Sequence, residues 1–445
     1  MKESSIISNI SAKLGINTLN AMQKTMAEKA NQQQVILLSP TGSGKTIAFA
    51  LPLLKNMNDS TGRLQAIIIS PARELTIQTA KVILSNSGDY TVSCCYGGHN
   101  FEDEKNSLSV TPDILIGTPG RLLDHIKRKN IDILPTRILV LDEFDKALEL
   151  GFQDEMKQIL DRLPNLSKKI LTSATSLSDI PDFVKFNDNF EELNFLSQNN
   201  LGERMRILQV ESNEKDKLTA LNQLLNNLDG QKTIVFANYR EAVERIFSFL
   251  KKEKKPVGLY HGGLDQIDRE KAISLLNNGT FKILVSTDLG SRGLDIKDVS
   301  HIIHYHLPKT EDAYIHRNGR TARINSKGSI YIITSPEEKL PSFIEFDDKF
   351  PLSVNATSKF EYDTETLFFS EGKKEKISKG DILGFLIAKG NLEASDIGRI
   401  EVADHYAMVA IPSKYASSIL NRISGHKIKN RKVKISLVRQ QNLVF

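Results

Sequence analysis

A glycine-rich octapeptide and an adjacent pair of carboxylates have the residue types that bind and hydrolyse a nucleoside triphosphate. Residues 39–46 read SPTGSGKT directly after an apolar run, and residues 142–145 read DEFD directly after another. A glycine-rich turn between a strand and a helix directs backbone N–H groups at phosphate, its lysine reaches the β- and γ-phosphates, and its threonine ligates Mg²⁺. The carboxylates add a metal-side group and a candidate base for the attacking water. The two motifs together predict an ATPase.

The residues expected at this site follow from their positions in the two motifs. Lys45 and Glu143 are predicted to be catalytic, and Thr46 and Asp142 are predicted to hold Mg²⁺. The residues expected to bind the ATP phosphates are Thr41, Gly42, Ser43, Gly44, Lys45 and Thr46.

Length and composition indicate a multidomain protein of a reducing compartment. A chain of 445 residues predicts about three domains, and its 40% apolar residues are sufficient for packed cores. The N-terminus MKESSIISNI is polar, and no apolar run approaches the ~20 residues of a membrane span. The adjacent Cys94 and Cys95 are interpreted as small buried residues. We therefore expect a cytoplasmic protein without a membrane anchor.

The basic charge is concentrated near the C-terminus. Residues 371–445 contain 14 Lys and Arg against 7 Asp and Glu, which gives +7, whereas the whole chain has +5. A basic lobe on a nearly neutral body favours a nucleic-acid contact surface, and a solvated charged face is the alternative.

Short apolar runs alternate with helical patterns twice along the chain, which predicts two parallel sheets covered by helices on both faces. The fold class is therefore α/β, with two tandem doubly wound domains and a cleft between them. The last 75 residues follow the order β-α-β-β-α-β of a small split-βαβ domain. The predicted domains are 1–200, 201–340, a connector at 341–363, and 364–445.

The segment HRNGRTAR contains three arginines and little apolar sequence. Arg317, Arg320 and Arg323, with His316, form a cluster that is costly unless it meets an anion. An arginine from one domain can neutralise γ-phosphate charge on the P-loop of the other, which would make hydrolysis depend on domain closure. Pairing of a surface basic helix with carboxylates is the alternative interpretation.

Together, about a dozen motifs over residues 15–325 resemble the DEAD-box family of ATP-dependent RNA helicases, whose two domains are RecA-like. The resemblance implies that Gln23 reads adenine, that Ser173, Thr175 and His316 couple hydrolysis to strand separation, and that Asp295 contacts the nucleotide. It makes Arg320 and Arg323 the arginine fingers. The RNA-contacting residues that it implies in the two RecA-like domains are Arg73, Gly98, Thr118, Arg121, Arg269, Thr287 and Arg292.

Some positions depart from the family pattern, including small changes at Ser39 and Ala322. Phe144 stands where the second motif normally has alanine, and this should change packing rather than chemistry. The aromatic residue that normally lies upstream of Gln23 and stacks on adenine has no clear counterpart, and Ile6 is the nearest candidate.

The last segment resembles the RRM-like, DbpA-type RNA-binding domain of bacterial helicases, which recognises a hairpin of large-subunit (23S) ribosomal RNA. Tyr406, Phe368 and Phe369 provide few aromatic rings for base stacking, since only one of the adjacent phenylalanines can face outward. A phosphate-docking edge is predicted instead, formed by Lys427, Lys429, Arg431, Lys432 and Lys434.

The sequence thus predicts an RNA-stimulated, Mg²⁺-dependent ATPase that opens short RNA duplexes, acts in large-subunit rRNA or a pre-ribosomal particle, and is a monomer. Three alternatives remain open: an ATP-gated RNA clamp, a general RNA chaperone helicase acting on mRNA, and a DNA translocase built on the same tandem domains.

Overall fold

A computed structural model describes residues 18–98, 101–177, 179–187, 189–196, 205–291, 296, 299–321, 328–353 and 355–438. The chain divides into two compact units, one containing the first sheet and the other containing the second and third sheets. The candidate residues Ile6, Arg292, Asp295 and Arg323 lie outside the described residues.

The first unit is built on a parallel sheet in the order β3-β4-β2-β5-β6-β1-β7. Its interior strands are nearly all apolar because helices cover both faces of the sheet. Alternate side chains of β1 enter two separate cores, with Val35 and Leu37 in one and Ile36 and Leu38 in the other. The strands are β1 (Gln34–Leu38), β2 (Ala66–Ile69), β3 (Val92–Cys95), β4 (Ile114–Gly117), β5 (Ile138–Leu141), β6 (Lys168–Ser173) and β7 (Glu191–Asn194).

Helices connect the consecutive strands from β1 to β6, with two helices after β5, and one further helix precedes β1. They are α1 (Ala21–Glu28), α2 (Lys45–Lys55), α3 (Arg73–Asn86), α4 (Phe101–Ser107), α5 (Pro119–Lys127), α6 (Phe144–Glu149) and α7 (Gln153–Leu160).

The second unit begins with a parallel sheet in the order β10-β11-β9-β12-β13-β8-β14, which repeats the strand order of the first sheet position by position. Its strands are β8 (Met205–Glu211), β9 (Thr233–Phe236), β10 (Val257–Tyr260), β11 (Ile283–Ser286), β12 (His301–His304), β13 (Gly328–Thr334) and β14 (Asp348–Lys349). The helices are α8 (Leu218–Asn227), α9 (Arg240–Lys252), α10 (Gln266–Asn278) and α11 (Glu311–Asn318).

The segment predicted to be a connector contributes to this second sheet. Its residues Asp348 and Lys349 form β14, which pairs with β8, and Phe360 is buried in a hydrophobic core packed against the second sheet. Sequence reasoning did not predict this edge strand, because it has only two residues and both are charged and exposed.

The terminal domain has an antiparallel sheet in the order β16-β17-β15-β18, with two helices packed against it. Its elements are β15 (Thr364–Phe369), α12 (Lys379–Ala388), β16 (Ile400–Val402), β17 (Ala407–Pro412), α13 (Ala416–Ile423) and β18 (Ile435–Val438). This β-α-β-β-α-β order confirms the predicted fold class of two RecA-like domains followed by an RRM-like domain.

The outward face of this small sheet meets helix α10. The Tyr406 hydroxyl donates a hydrogen bond to Glu270 (2.9 Å), and the Lys271 ammonium lies 5.4 Å from the centre of the Phe368 ring. Phe368 and Tyr406 stack with their ring centres 5.7 Å apart, whereas Phe369 is fully buried in the domain core. The expectation that only one of the two phenylalanines faces outward is therefore correct.

None of the helices in the described part of the chain combines the length and the apolar character needed to cross a bilayer.

Candidate functional site

The order of strands in the first sheet explains why three separate motifs meet. Strand β6 lies between β1 and β5, with Leu38 in register with Ser173 and Leu141 in register with Leu171. The carboxyl ends of neighbouring parallel strands share one edge of the sheet. The segments that follow β1, β5 and β6, at residues 39–46, 142–145 and 173–175, therefore converge there.

The glycine-rich loop has the backbone shape of a phosphate cradle. Gly42 and Gly44 have φ angles of +81° and +92°, in the left-handed region that suits glycine, and Gly44 directly precedes helix α2. Lys45 is 7% exposed, and its Nζ donates to the carbonyl oxygens of Ser39 (2.5 Å) and Pro40 (3.0 Å). The lysine is thus held over its own loop, where phosphate oxygens could replace those carbonyls as acceptors.

Gln23 is tied to the same loop. Its Oε1 accepts a hydrogen bond from the Asn20 backbone N–H (3.0 Å), and its Nε2 donates to the Gly44 carbonyl (3.4 Å). A Cβ at Gly44 would lie 2.6 Å from this Nε2, so the glycine is also required by the close approach of Gln23. In this arrangement Gln23 braces the loop, and its reading of adenine remains a prediction.

Asp142 is a buried carboxylate, 3% exposed, with hydroxyl donors on both oxygens. Thr172 donates to Oδ1 (2.7 Å) and Thr79 donates to Oδ2 (3.3 Å). Burial raises the pKa of Asp142, and the Thr172 hydroxyl, the Lys45 charge and the Thr79 hydroxyl oppose this without cancelling it. A hard divalent cation prefers such oxygen ligands and would favour the ionised form. Asp142 and Thr46 therefore suit Mg²⁺ by donor chemistry.

Glu143 has an unusual backbone conformation at the end of β5. Its φ of +47° and ψ of +55° place a non-glycine residue in the left-handed region, which costs of the order of 1–3 kcal/mol. The Thr172 hydroxyl accepts a hydrogen bond from its backbone N–H (3.1 Å), and the residue is 5% exposed. Such strain is typical of residues whose orientation matters for chemistry.

The last aspartate of DEFD links the second motif to SAT. Asp145 Oδ2 accepts from the Ala174 backbone N–H (3.2 Å) and from the Thr175 hydroxyl (3.1 Å). The Ser173 hydroxyl donates to the Thr175 carbonyl (2.6 Å). Ser173 and Thr175 are therefore connected to the carboxylate motif, as a coupling role requires.

Phe144 fills the core beneath this edge rather than the site itself. Its ring is 0% exposed and lies 6.4 Å from the ring centre of Phe183. The departure from the family pattern is thus a packing change.

Sequence reasoning missed Thr79, Thr172 and Asp145 as members of the site. The repeated carboxylate of DEFD was a signal for Asp145. Thr79 and Thr172 lie far from Asp142 in sequence, 63 and 30 residues away, and only the fold brings them together.

A second group of predicted residues follows strands β2, β3 and β4, which are also neighbours. Gly98 has a φ of +95°, and a Cβ there would lie 2.3 Å from Nη1 of Arg73. The Thr118 backbone N–H donates to the Cys95 carbonyl (3.1 Å). Arg121 is on the first turn of α5, and its Nε donates to Glu104 (2.6 Å). The fold thus brings Arg73, Gly98, Thr118 and Arg121 to one sheet edge.

The structure buries both described arginines of HRNGRTAR, Arg317 and Arg320. Arg317 is fully buried, and it donates to Asp288 (2.5 Å) and to Asn238 (2.7 Å). For Arg317 the anion is the Asp288 carboxylate, which agrees with the alternative interpretation of pairing with a carboxylate. His316 and Arg320 are also buried, at 1% and 3% exposure.

Arg269 and Thr287, the other described RNA candidates of this unit, are half-buried, on α10 and directly after β11 respectively.

The basic residues of the terminal domain are exposed around the segment before β18. Lys429 forms an ion pair with Asp381 (2.8 Å), and hydrogen bonds from Lys429 and Ser378 lower the pKa of Asp381 to about 2. The exposed residues of this segment are Lys427, Lys429, Arg431, Lys432 and Lys434.

The first domain has a glycine-rich phosphate-binding loop and a buried carboxylate pair at the carboxyl edge of a parallel sheet. A second domain repeats the strand order of that sheet. These features define a P-loop nucleoside triphosphatase with two RecA-like domains.

The family profile described as "DEAD/DEAH box helicase" matches residues 20–183, and "Helicase conserved C-terminal domain" matches residues 216–325. ATP-dependent RNA helicase DbpA of Escherichia coli (strain K12) is 30% identical over 424 residues, which cover 92% of this chain and 91% of that protein. The chain belongs to the DEAD-box ATP-dependent RNA helicases.

A third profile, "DbpA RNA binding domain", matches residues 366–437. DbpA of Bacillus subtilis (strain 168) is 28% identical over 457 residues, covering 95% of each chain. RhpA of Helicobacter pylori (strain ATCC 700392 / 26695) is 34% identical over 324 residues, but this chain covers only 65% of its length.

Among solved structures, Saccharomyces cerevisiae Dbp5 bound to RNA and ADP BeF3 matches with a TM-score of 0.67 and 27% identity, covering 75% of this chain and 88% of that one. Mss116p bound to ssRNA and AMP-PNP matches with a TM-score of 0.67 and 25% identity, covering 78% and 77%.

Proposed function

We propose that this DEAD-box helicase uses RNA-stimulated ATP hydrolysis to open short RNA duplexes in large-subunit ribosomal RNA, beside the place where its terminal domain docks. One observation carries the proposal: the same sheet edge holds the phosphate-binding loop and the four predicted RNA contacts Arg73, Gly98, Thr118 and Arg121. A single domain thereby places candidate ATP and RNA contacts at the ends of adjacent strands.

In the ATP half of the site, the loop amides of 41–46 bind the phosphates, and Lys45 transfers its hydrogen bonds from Ser39 and Pro40 to them. Asp142 and Thr46 would hold Mg²⁺, which would supply positive charge beside the phosphates. Glu143 orients the attacking water from its strained position after β5. Arg320 and Arg323 stabilise charge on the γ-phosphate, and Asp295 contacts the nucleotide.

In the RNA half, Arg73, Thr118 and Arg121 bind backbone phosphates, and Gly98 contributes by leaving room for the Arg73 guanidinium. Arg269, Thr287 and Arg292 contribute from the second RecA-like domain. Asp145, Ser173 and Thr175 connect the carboxylate motif to strand separation through their mutual hydrogen bonds, and His316 supports that coupling. ATP and RNA binding close the two domains, and phosphate release reopens them.

The terminal domain provides the address. Its match to the DbpA RNA-binding domain supports a hairpin of 23S rRNA as the target, and such a target favours a role in ribosome assembly. We further propose that the protein acts in the cytoplasm as a monomer. The exposed basic segment at 427–434 supplies phosphate contacts.

Strand displacement tests this function against its main alternative. A short labelled duplex beside a structured 23S rRNA fragment is incubated with ATP and the wild-type chain or Glu143→Gln. Wild type should release the strand, and Glu143→Gln should bind RNA with ATP and release nothing. Wild-type binding without release at saturating ATP would favour an ATP-gated clamp and contradict the helicase assignment. Equal release from an unstructured mRNA duplex would instead favour a general RNA chaperone.

A further inference from the structure

We propose that Glu104 is a positioning residue for RNA binding that acts through the guanidinium of Arg121. The inference deepens the proposed function, since it rests on Arg121 being an RNA contact. Glu104 lies on helix α4, and no motif of the sequence singles it out.

The Glu104 carboxylate is 8% exposed and is engaged by three donors. Its Oε1 accepts from the Tyr96 backbone N–H (3.0 Å), two residues before Gly98. Its Oε2 accepts from Nε of Arg121 (2.6 Å) and from Nε2 of His125 (3.0 Å). One side chain therefore joins the loop after β3 to two successive turns of helix α5.

The tautomer of His125 is set by its second neighbour. The amide Nδ2 of Asn130 lies 3.0 Å from Nδ1 of His125 and donates to it, so Nε2 carries the proton that points at Glu104. Phe101 stacks on the His125 ring with 4.7 Å between ring centres and 9° between planes. His125 and the Tyr96 backbone N–H therefore fix the Glu104 carboxylate independently of Arg121.

The fixed carboxylate of Glu104 in turn orients the long side chain of Arg121. Burial raises the pKa of Glu104, but hydrogen bonds from His125, Arg121 and the Tyr96 amide outweigh it and hold the pKa below its usual value. The carboxylate is therefore ionised at neutral pH. The Arg121 guanidinium also lies 4.8 Å from the centre of the Phe101 ring, and its side chain is 16% exposed. An arginine oriented in advance loses less rotamer entropy when it meets phosphate.

A metal site is the competing interpretation of the same cluster. Ligand atoms of Cys95, Glu104 and His125 lie within 4.8 Å of one another, and all three residues are buried. However, Arg121 already places a positive charge on Glu104 Oε2, and burial raises the pKa of the Cys95 thiol, which disfavours the thiolate that binds metal. The observed contacts thus favour a positioning role.

The sign of the effect distinguishes orientation from neutralisation. If Glu104 mainly cancelled the Arg121 charge, its removal would tighten RNA binding and make the salt dependence steeper. If Glu104 orients Arg121, removal weakens binding and lowers the log–log salt slope by about 0.7, the value for one single-strand phosphate contact.

The test uses full-length wild type, Glu104→Gln, Arg121→Ala and the double variant, with single-stranded RNA anisotropy over a salt series and KM values for RNA and ATP. Glu104→Gln keeps the side-chain size but places an amide N–H against a donor. Asp113→Asn is the matched control, because Asp113 is another buried carboxylate of the first unit, directly before β4, and accepts hydrogen bonds from Thr91 and Ser60.

Glu104→Gln should raise the RNA Kd about tenfold, as expected for one charge-assisted hydrogen bond, with the KM for ATP unchanged. The double variant should be no weaker than Arg121→Ala, and Asp113→Asn should leave the RNA Kd unchanged. Two results would overturn the inference if Arg121→Ala still weakened RNA binding. One is RNA binding by Glu104→Gln that is unaltered or tighter, and the other is a double variant whose loss of affinity equals the sum of the two single losses. An inert Arg121→Ala would instead refute the RNA contact itself. Stoichiometric Zn²⁺ uptake in equilibrium dialysis by wild type but not Glu104→Gln would establish the metal interpretation.

Discussion

At the scale of single residues, Asp142 shows a conflict between folding and catalysis. Its carboxylate is buried, and burial raises its pKa, so the ionised form costs stability until a cation arrives. Thr172 and Thr79 reduce that cost through their hydroxyl donors. Retention of an acid here fits a residue selected for its charge rather than for stability.

This conflict predicts that Asp142→Asn stabilises the nucleotide-free protein while abolishing ATP turnover. Because the folded-state pKa is raised, the folded chain binds this proton more tightly than the unfolded chain does. The wild type should therefore gain stability relative to the variant as pH falls, and lose it as pH rises. Thermal unfolding in EDTA at several pH values measures this, with about 2–4 °C expected for each kcal/mol. A variant that unfolds earlier at pH 8, with a pH-independent difference, would be inconsistent with the account.

At the scale of elements, the loop after β3 contains a glycine, Gly98, that leaves space for the Arg73 guanidinium. Gly98 has a φ of +95°, and an added Cβ would lie 2.3 Å from Nη1 of Arg73. Gly98→Ala should thus displace Arg73 and weaken single-stranded RNA binding about tenfold to a hundredfold, the range for removal of one charge-assisted hydrogen bond.

The control for backbone strain alone is Gly62→Ala. Gly62 has a φ of +67°, but a Cβ there would meet no atom within 4 Å. Anisotropy titrations of both variants separate the two effects. Equal RNA affinity in the two variants would show that RNA binding does not depend on the position of Arg73 against Gly98.

The elements also show where sequence reasoning succeeds and where it stops. Buried parallel strands are readable because each is a short apolar run, and the phosphate loop is readable because its glycines and lysine are adjacent. Strand β14 escaped prediction because it has only two residues, Asp348 and Lys349, and both are charged and exposed. The buried state of Arg317 could not be predicted, because its partner Asp288 comes from another segment. The pairing of residues distant in sequence is a property of the fold, and no local pattern encodes it.

At the scale of the whole molecule, the charge partition separates targeting from catalysis. Residues 371–445 have a net charge of +7, whereas the remaining residues have −2. Removing 364–445 should leave ATP hydrolysis that RNA still stimulates, but without preference for a structured rRNA fragment over an unrelated RNA. ATPase titrations with both RNAs measure this preference. Full selectivity in the truncated chain would contradict the targeting role.

A full-length variant avoids exposing the contact between the terminal sheet and α10. Replacing Lys427, Lys429, Arg431 and Lys432 with Gln should reduce affinity for the structured RNA and lower its salt slope by about 0.7–0.9 for each phosphate that is no longer neutralised. The charge-matched control replaces exposed lysines elsewhere with Gln, at Lys81, Lys157, Lys252 and Lys254. Equal reductions of affinity in the two variants would indicate a general charge effect rather than docking.

The most direct test of the central claim is steady-state ATP turnover by the full-length chain with matched RNA and DNA strands. RNA-driven hydrolysis requires that single-stranded RNA raise kcat well above the nucleic-acid-free rate. DNA of the same sequence should raise it little, and Glu143→Gln should remove the stimulated rate. Turnover that RNA leaves unchanged, or that DNA stimulates equally, would contradict the assignment and favour a DNA translocase or an ATPase with another partner.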